Sequence, residues 1–293
     1  MPSHESREVP PTHAGSPSFF DWVDAVLVIN LDQRTDRWER FCNAAKDLIP
    51  QDKIIRISAV YGKDLPGYGQ KPWFHGRKRD ATWAARAGCT LSHKKALEVA
   101  AGFPRCLILE DDIEWISGFP SISRHLPEKL ISLTPQWGVC YLGYTDPMGP
   151  FRYRQSVDGD IHVCQVYGCN CAHAYLVTRE SASQIAKSLP DEHNVWHWLS
   201  HFRSCDKFFI RDFGRRFDVL CISPSLINQF ADFSDITQRS TTHLAESTHI
   251  TAIPAEKITN RSYKFRYLLQ ICRCRILQTW DHIRALAKRI NGF

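Results

Sequence analysis

Three consecutive acids, Glu110, Asp111 and Asp112, end a short apolar run that begins at Leu107. The run is typical of a buried strand, and strand side chains alternate between two faces. We therefore expect Glu110 and Asp112 to point to one side and Asp111 to the other. Two carboxylates directed at one place repel each other, and a divalent cation such as Mg²⁺ or Mn²⁺, which prefers oxygen ligands, relieves that repulsion. A solvated acidic turn is the alternative interpretation.

A second group of polar residues follows the apolar run 25–29, which also predicts a strand. Asn30, Asp32, Arg34 and Arg37 lie directly beyond the end of this run. In a parallel sheet the carboxyl ends of the strands share one edge, where α/β folds bind their ligands. The acids and the arginines would then share a crevice that suits a nucleotide diphosphate, because guanidinium groups bind phosphate through paired hydrogen bonds. A solvated helix start with local ion pairs is the competing interpretation.

The order of the predicted elements explains how these residues would meet. Strands alternate with helices in the first half of the chain, which is typical of a parallel α/β sheet. The stretch 61–87 is predicted to be a long loop, and a helix is predicted to start within Gly88–His93, capped by Thr90 or Ser92. The predicted strands are 25–29, 54–60, 107–112, 139–143, 163–167, 172–177 (paired with 163–167) and 219–222.

The composition is that of an ordinary soluble globular protein, with 293 residues, 43% of them hydrophobic and 23% charged. No stretch approaches the ~18 consecutive apolar residues of a membrane span, and the first residues do not resemble a signal peptide, so we expect a cytoplasmic protein. The eleven cysteines are scattered singly, mostly inside apolar runs, which favours reduced thiols over a disulfide framework.

The basic charge of the chain is concentrated in its last 33 residues. From Arg261 onward, eight basic residues stand against Asp281 alone, a net charge of +7, so the other 260 residues sum to −1 within the total of +6. The nearly neutral charge of residues 1–260 does not favour binding of a polyanion, so we expect no nucleic-acid partner. It also disfavours a metal-dependent phosphoester hydrolase or nuclease, the main alternative use of clustered carboxylates.

The basic tail has apolar residues at helical spacing between positions 263 and 290, and its other positions are largely basic. Two interpretations remain open. The helix either docks on the domain or lies as an amphipathic helix on an anionic membrane surface. The predicted apolar face consists of Phe265, Leu269, Cys272, Ile276, Trp280, Ile283, Ala287 and Ile290.

The order of several motifs resembles glycosyltransferase family 25, which includes bacterial lipooligosaccharide galactosyltransferases and animal procollagen galactosyltransferases. Each motif alone is weak, but their order and spacing are specific, and the resemblance spans about residues 24–236. The matching stretches are 28–37, 56–62, 88–93, 107–112, 141–143, 167–178, 206–209, 224–229 and 234–236.

The resemblance implies an α/β, GT-A-like (Rossmann-like) mixed sheet flanked by helices. It also implies a nucleotide sugar donor, most often UDP-galactose, a Mn²⁺ or Mg²⁺ ion, and inversion at the anomeric carbon. Glu110 and Asp112 then correspond to the acidic metal motif. The donor would contact Asn30, Asp32, Arg34, Arg37, Ser92, His93 and Asp111, although His93 could equally brace the loop beneath the donor.

An inverting transfer needs a general base that removes the proton of the acceptor hydroxyl. Asp206 is our candidate, at a position where the resemblance also expects an aspartate, and Asp146 is the reserve. Trp73, Trp196 and Trp198 are candidates for the acceptor site, because sugars pack their C–H faces on aromatic rings, with core packing as the alternative for each.

The sequence therefore predicts an inverting, metal-dependent transferase that moves a sugar to a glycan or another hydroxyl acceptor. An inactive module that binds sugar nucleotides is the third possibility. We expect four segments, namely a disordered arm 1–20, the GT-A-like domain 21–236, a loop 237–260 and the basic amphipathic helix 261–293.

Overall fold

Strands and helices alternate through the computed structural model, which describes residues 18–76, 78–133, 137–230, 233–234, 239–240, 252–254, 257–258 and 262–290. The strands are β1 (Ala25–Asn30), β2 (Ile54–Ser58), β3 (Arg105–Glu110), β4 (Ile113–Trp115), β5 (Trp137–Gly143), β6 (Pro147–Met148), β7 (Arg152–Asp158), β8 (Ile161–Val166), β9 (Gly168–Cys169), β10 (Ala174–Thr178), β11 (Asp218–Ser223), β12 (Ile227–Gln229), β13 (Phe233–Ser234) and β14 (Arg239–Ser240). The helices are α1 (Phe19–Trp22), α2 (Thr35–Ala45), α3 (Lys78–Ala100), α4 (Phe119–Ser123), α5 (Leu126–Leu133), α6 (Arg179–Ala186), α7 (Val195–Phe202), α8 (Cys205–Arg216) and α9 (Tyr263–Ile290).

Eight of these strands form one mixed sheet in the order β2-β1-β3-β10-β5-β11-β8-β7. The neighbours β2, β1 and β3 are parallel, β10 runs antiparallel between β3 and β5, and β11 is parallel to β5. The sheet ends in the antiparallel strands β8 and β7. Helices cover both of its faces, so the predicted α/β, GT-A-like mixed sheet flanked by helices is confirmed.

The two faces of the sheet bury two separate cores. Leu27 and Ile108 belong to the core that includes residues of α3, α6 and α8, whereas Val28 and Leu107 belong to the core that includes residues of α1, α2, α4 and α5. Because strand residues alternate, both faces of β1 and β3 are covered, which explains their continuous apolar runs. The acids at the end of β3 therefore emerge at the edge of a fully buried sheet.

The predicted pairing of 163–167 with 172–177 is wrong. β8 pairs with β11 and β7, and β10 pairs with β3 and β5. The first four residues of β10 are buried, which fits a central position in the sheet, and the segment between the two strands forms β9 and pairs with β6 instead of closing a hairpin.

Helix α3 begins at Lys78, at least ten residues before the predicted start within Gly88–His93. The last ten residues of the predicted loop 61–87 therefore belong to the helix. Gly88 lies inside the helix, where a side chain would not fit, because a Cβ at this position would clash with the carbonyl oxygen of Val60. A Cβ at Gly62 would likewise clash with the backbone of α3. Ser92 completes this contact: its Oγ accepts a hydrogen bond from the Val60 amide at 2.8 Å. The glycine and the serine therefore hold the segment after β2 against α3 and do not mark a helix start.

The start of the predicted domain needs correction, and the segment after its predicted end is described only in part. Residues 1–17 of the predicted arm lie outside the described residues, but Phe19 and Phe20 are buried in the core, so the domain begins before residue 21. In the predicted loop 237–260, most residues lie outside the described part of the chain, but Ile253 is buried and its amide donates to Ser223 Oγ at 2.9 Å.

The basic tail forms α9 over the predicted range and packs mainly against α7 and α8. The helix thus docks on the domain, but it docks through a different face from the predicted apolar one, which leaves that apolar face exposed. Phe265, Ile276 and Trp280 are exposed, whereas Tyr263 and Cys274 are buried. Among the described residues, no helix is both long and apolar enough to cross a bilayer.

Replacing Gly88 by alanine tests the contact between α3 and the segment after β2. In an open helix, Gly→Ala raises stability by about 1 kcal/mol. Here the added methyl overlaps the Val60 carbonyl, so we expect a loss of about 1–3 kcal/mol in the free energy of unfolding, measured with urea. Glu98→Ala, at an exposed site of the same helix, is the control. Stabilisation of the chain by Gly88→Ala would contradict the close approach.

Candidate functional site

The acids at the end of β3 divide between two directions, as predicted. After Glu110 the chain turns into β4, whose partner β12 places Gln229 opposite Ile113. The Gln229 side-chain nitrogen donates to Glu110 Oε2 at 3.2 Å and to Asp112 Oδ1 at 3.4 Å. These two carboxylates therefore converge on one amide, while Asp111 turns to the side of β1.

Asp111 and Arg37 form the buried half of this site. Arg37 Nη1 donates to Asp111 Oδ1 at 3.0 Å and to Asp112 Oδ2 at 3.3 Å, and Asn30 Nδ2 donates to Asp111 Oδ2 at 2.6 Å. Asn30, Arg37 and Asp111 are all buried. A guanidinium enclosed with two carboxylates offsets the cost of removing those charges from water.

The residues predicted to line the nucleotide end are placed differently from one another. The side-chain amide of Asn30 is bonded to other protein groups: its Nδ2 donates to Asp111, and its Oδ1 accepts a hydrogen bond from Arg56 Nε at 3.0 Å. The Asp32 side chain is 68% exposed and accepts from the Ser58 hydroxyl at 2.6 Å. Arg34 lines the cleft and donates to Asp36 through two contacts of 2.9 Å. Asn30 is thus a positioning residue, and Arg34 borders the open space.

His93 lies behind Glu110 and is 1% exposed. Its Nε2 is 3.3 Å from Glu110 Oε1, and its Nδ1 is 3.0 Å from the Tyr175 hydroxyl. With both ring nitrogens engaged, the imidazole orients the Glu110 carboxylate. The bracing role that the sequence left open for His93 is the one that this geometry favours, and Ser92 likewise holds the backbone at Val60.

The carboxylates differ in their protonation because of their surroundings. Burial and the neighbouring Glu110 raise the pKa of Asp112 to about 7. Burial opposes ionisation of Glu110, but the hydrogen bond with His93 and the positive charges of His93 and Arg37 together outweigh burial and lower its pKa below the usual value. Burial raises the pKa of Asp111 despite its bonds from Asn30 and Arg37. Asp111 and Asp112 are therefore harder to ionise in this setting than in water, and a cation bound beside them would offset that cost.

This donor set fits a divalent cation. Glu110 and Asp112 present carboxylate oxygens to a common point, the side-chain nitrogen of Gln229. Hard cations such as Mg²⁺ and Mn²⁺ take carboxylate ligands of this kind. A cation held by Glu110 and Asp112 would offset both the burial and the repulsion that raise the pKa of Asp112.

The carboxylates open into a cleft between the ends of β1 and β3 and the start of the segment after β2. The cleft includes Gln229, Tyr61 and Lys63, none of which we predicted as site residues. The sequence could have identified these residues, because all three lie in or beside motifs that resemble family 25. The other lining residues used here are Arg34, Arg37, His93, Glu110, Asp111 and Asp112.

The two candidate bases lie together outside the residues that line the cleft. Asp206, in the first turn of α8, accepts from the Lys207 amide at 2.9 Å and from the Ser204 hydroxyl. Lys207 Nζ donates to Asn170 Oδ1 at 2.9 Å, and Asn170 Nδ2 donates to Asp146 at 3.4 Å. This chain of contacts joins Asp206 and Asp146 in one polar cluster.

A group of thiols connects that cluster with the cleft. The sulfur of Cys205, next to Asp206, is 3.6 Å from the sulfur of Cys89, which lines the cleft. Potential ligand atoms of Cys89, His93 and Cys205 lie within 4.8 Å of one another. The sequence did not predict this group, because its members come from helices more than 100 residues apart.

The three tryptophans predicted to bind an acceptor are packed against other rings. Trp196 is 3% exposed, its Nε1 donates to the Pro66 carbonyl at 2.7 Å, and its ring centre lies 4.7 Å from that of Phe74. An acceptor role for Trp196 is therefore not supported, because neither ring face is open. Trp73 and Trp198 are partly buried, and Trp198 packs against Phe202.

The curated proteins similar to this chain are members of glycosyltransferase family 25. Human "inactive glycosyltransferase 25 family member 3" is 33% identical over 133 residues, 41% of this chain and 22% of that protein. "Procollagen galactosyltransferase 1" of Danio rerio is 24% identical over 211 residues, 62% of this chain and 34% of that protein. The matches thus span about a third or less of these relatives, and no family model matches the chain. The predicted resemblance to the family is confirmed.

Among solved structures, similar chains include a glycosyltransferase involved in glycosylation of the major capsid of PBCV-1, with 10% identity and a TM-score of 0.37, covering 76% of this chain and 98% of that one. The galactosyltransferase LgtC, with donor and acceptor sugar analogues, has 14% identity and a TM-score of 0.29, covering 79% and 98%. TM-scores under 0.5 do not establish a common fold, so the fold class here depends on the chain's own strand order.

Removing the buried guanidinium should destabilise the fold. Arg37→Met leaves Asp111 and Asp112 without their shared cation, so we expect a loss of about 3–5 kcal/mol in the free energy of unfolding, measured by urea denaturation at neutral pH. Arg34→Met is the matched control. It removes a pair with the exposed Asp36, which is worth about 1 kcal/mol or less. Equal losses in the two variants would contradict the role assigned to Arg37.

Proposed function

We propose that this chain, whose curated relatives are members of glycosyltransferase family 25, is an inverting, metal-dependent hexosyltransferase. It would transfer galactose from UDP-galactose to a hydroxyl of a glycan or another acceptor. The observation that carries the proposal is the convergence of Glu110 and Asp112 on Gln229 in a cleft bordered by cationic side chains. A relative that is named a procollagen galactosyltransferase supports the choice of donor.

In this proposal the residues of the cleft bind the donor in three parts. Glu110 and Asp112 would hold Mn²⁺ or Mg²⁺, which would supply positive charge to stabilise the departing diphosphate. Arg34 and Lys63, at the rim, bind phosphate oxygens. Tyr61, which is exposed in the cleft, offers an aromatic ring on which the uracil of the donor can stack.

Deprotonation of the acceptor is assigned to the cluster at the start of α8. Asp206 would accept the proton of the attacking hydroxyl, with Asp146 as the alternative base. Asp206 is partly exposed, and the hydrogen bonds that fix its carboxylate involve its Oδ1. The acceptor would therefore approach between α8 and the cleft.

We further propose the cytoplasm as the site of the reaction. All eleven cysteines are free, including the neighbours Cys89 and Cys205. Free thiols in this number are typical of a reducing compartment.

A second candidate is a module that binds sugar nucleotides without turnover, because relatives from three mammals are named as inactive or probably inactive. Both candidates need the same cleft and cation. They differ only in whether the bound donor reacts, so donor binding and donor consumption have to be measured separately.

A screen of nucleotide sugars for slow hydrolysis with Mn²⁺ or Mg²⁺ tests the proposal. We expect UDP-galactose to be consumed and Asp112→Asn to lower the rate by about 100-fold or more, because it removes a charged ligand of the cation. Asp158→Asn, at an exposed site on β7, should leave the rate within about twofold. Binding of UDP-galactose without any hydrolysis or transfer would favour the inactive module, and absence of binding to every nucleotide sugar would contradict both candidates.

The proposed base is tested by Asp206→Asn. This variant should retain UDP binding, measured by calorimetry, and lose transfer by about 100-fold or more, because the amide cannot accept the proton. Asp146→Asn serves as the comparison, with transfer retained if Asp206 is the base. Unchanged transfer in Asp206→Asn together with a loss in Asp146→Asn would assign the role to Asp146.

A further inference from the structure

Helix α9 exposes an apolar face to solvent. We call the residues Phe265, Leu268, Leu269, Ile276, Trp280 and Ile283 the outward face of α9, and their exposed fractions lie between 51% and 64%. A helix on the surface of a globular protein normally turns such residues toward the core. A row of large exposed side chains along several turns of a single helix marks an interaction surface.

The opposite side of α9 attaches it to the domain, largely through polar and small residues. The Tyr267 hydroxyl donates to the Gly214 carbonyl, and the buried Asp281 forms ion pairs with Arg211 of α8 and Arg284. Cys274 is also buried against the domain. Since these contacts fix the rotation of the helix about its axis, the outward orientation of the apolar residues follows from them.

Cations flank the outward face on both sides. At 100° per residue, Lys264 and Arg275 fall about a quarter turn to one side of its centre, and Arg266 and Arg273 about a quarter turn to the other. All four are exposed. The only acid in the helix sequence is Asp281, on the docked side. The surface thus combines an apolar centre, two basic margins and no acidic side chain.

We propose that the outward face of α9 docks on an anionic lipid bilayer. The apolar side chains would enter the boundary between headgroups and acyl chains, while the basic margins bind lipid phosphates. Charge complementarity favours this partner over a second copy of the chain, because two copies would bring strongly basic tails together. The inference does not depend on the activity proposed for the cleft.

Co-sedimentation with vesicles tests the proposal. The chain should bind vesicles of equal parts phosphatidylcholine and phosphatidylglycerol, bind pure phosphatidylcholine more weakly, and lose binding as salt is raised. Ile276→Glu should weaken binding by about tenfold or more, because it places a charge in the inserted surface. Ile131→Glu on α5 is the matched control: Ile131 is 61% exposed and Ile276 is 58% exposed, so loss caused by an added acid alone would appear in both.

A second variant separates the cations from the apolar centre. Arg273→Gln combined with Arg275→Gln should weaken binding to the anionic vesicles by about fivefold for each cation removed. Circular dichroism checks that each variant remains folded. Absence of vesicle binding, equal binding of Ile276→Glu and the unaltered chain, or a dimer that Ile276→Glu converts to a monomer would each overturn the proposal.

Discussion

The architecture of the site depends on the electrostatic cost of placing three acids at the end of a buried strand. Glu110, Asp111 and Asp112 can lie there only because other elements bring partners to them. Arg37 comes from α2, His93 from α3 and Gln229 from β12. Removing a charge from water without such partners would cost several kcal/mol, so the acids and the elements that hold their partners must assemble together.

The same constraint explains the shape of the cleft. His93 reaches Glu110 only if α3 lies close to the end of the sheet, and the paired glycines Gly62 and Gly88 permit that approach. Ser92 ties the backbone at Val60 to the helix and so fixes the segment that carries Tyr61 and Lys63 into the cleft. The two glycines and Ser92, which have no proposed role in the reaction, thus determine the positions of the residues that line the cleft.

Features of the fold and the site that depend on neighbouring residues in the sequence were predictable. The alternation of strand side chains predicted the division of the acids, and Gln229 contacts the pair that was expected to converge. Long-range choices were not predictable from pattern alone. Apolar runs do not reveal their partners, so β8 and β10 were paired wrongly, and helical periodicity shows which residues of α9 share a face but not which face docks. Trp196 packs in the core, the alternative that the sequence left open, because sequence alone does not distinguish an aromatic residue of a core from one of a sugar site.

We propose that the carboxylates at the end of β3 bind a divalent cation together with a nucleotide. Electron paramagnetic resonance of free Mn²⁺ during titration of the chain, with and without UDP, tests it most directly. We expect one Mn²⁺ site per chain that binds more tightly when UDP is present and is lost in Glu110→Gln. Mn²⁺ binding that neither UDP nor Glu110→Gln alters would contradict it.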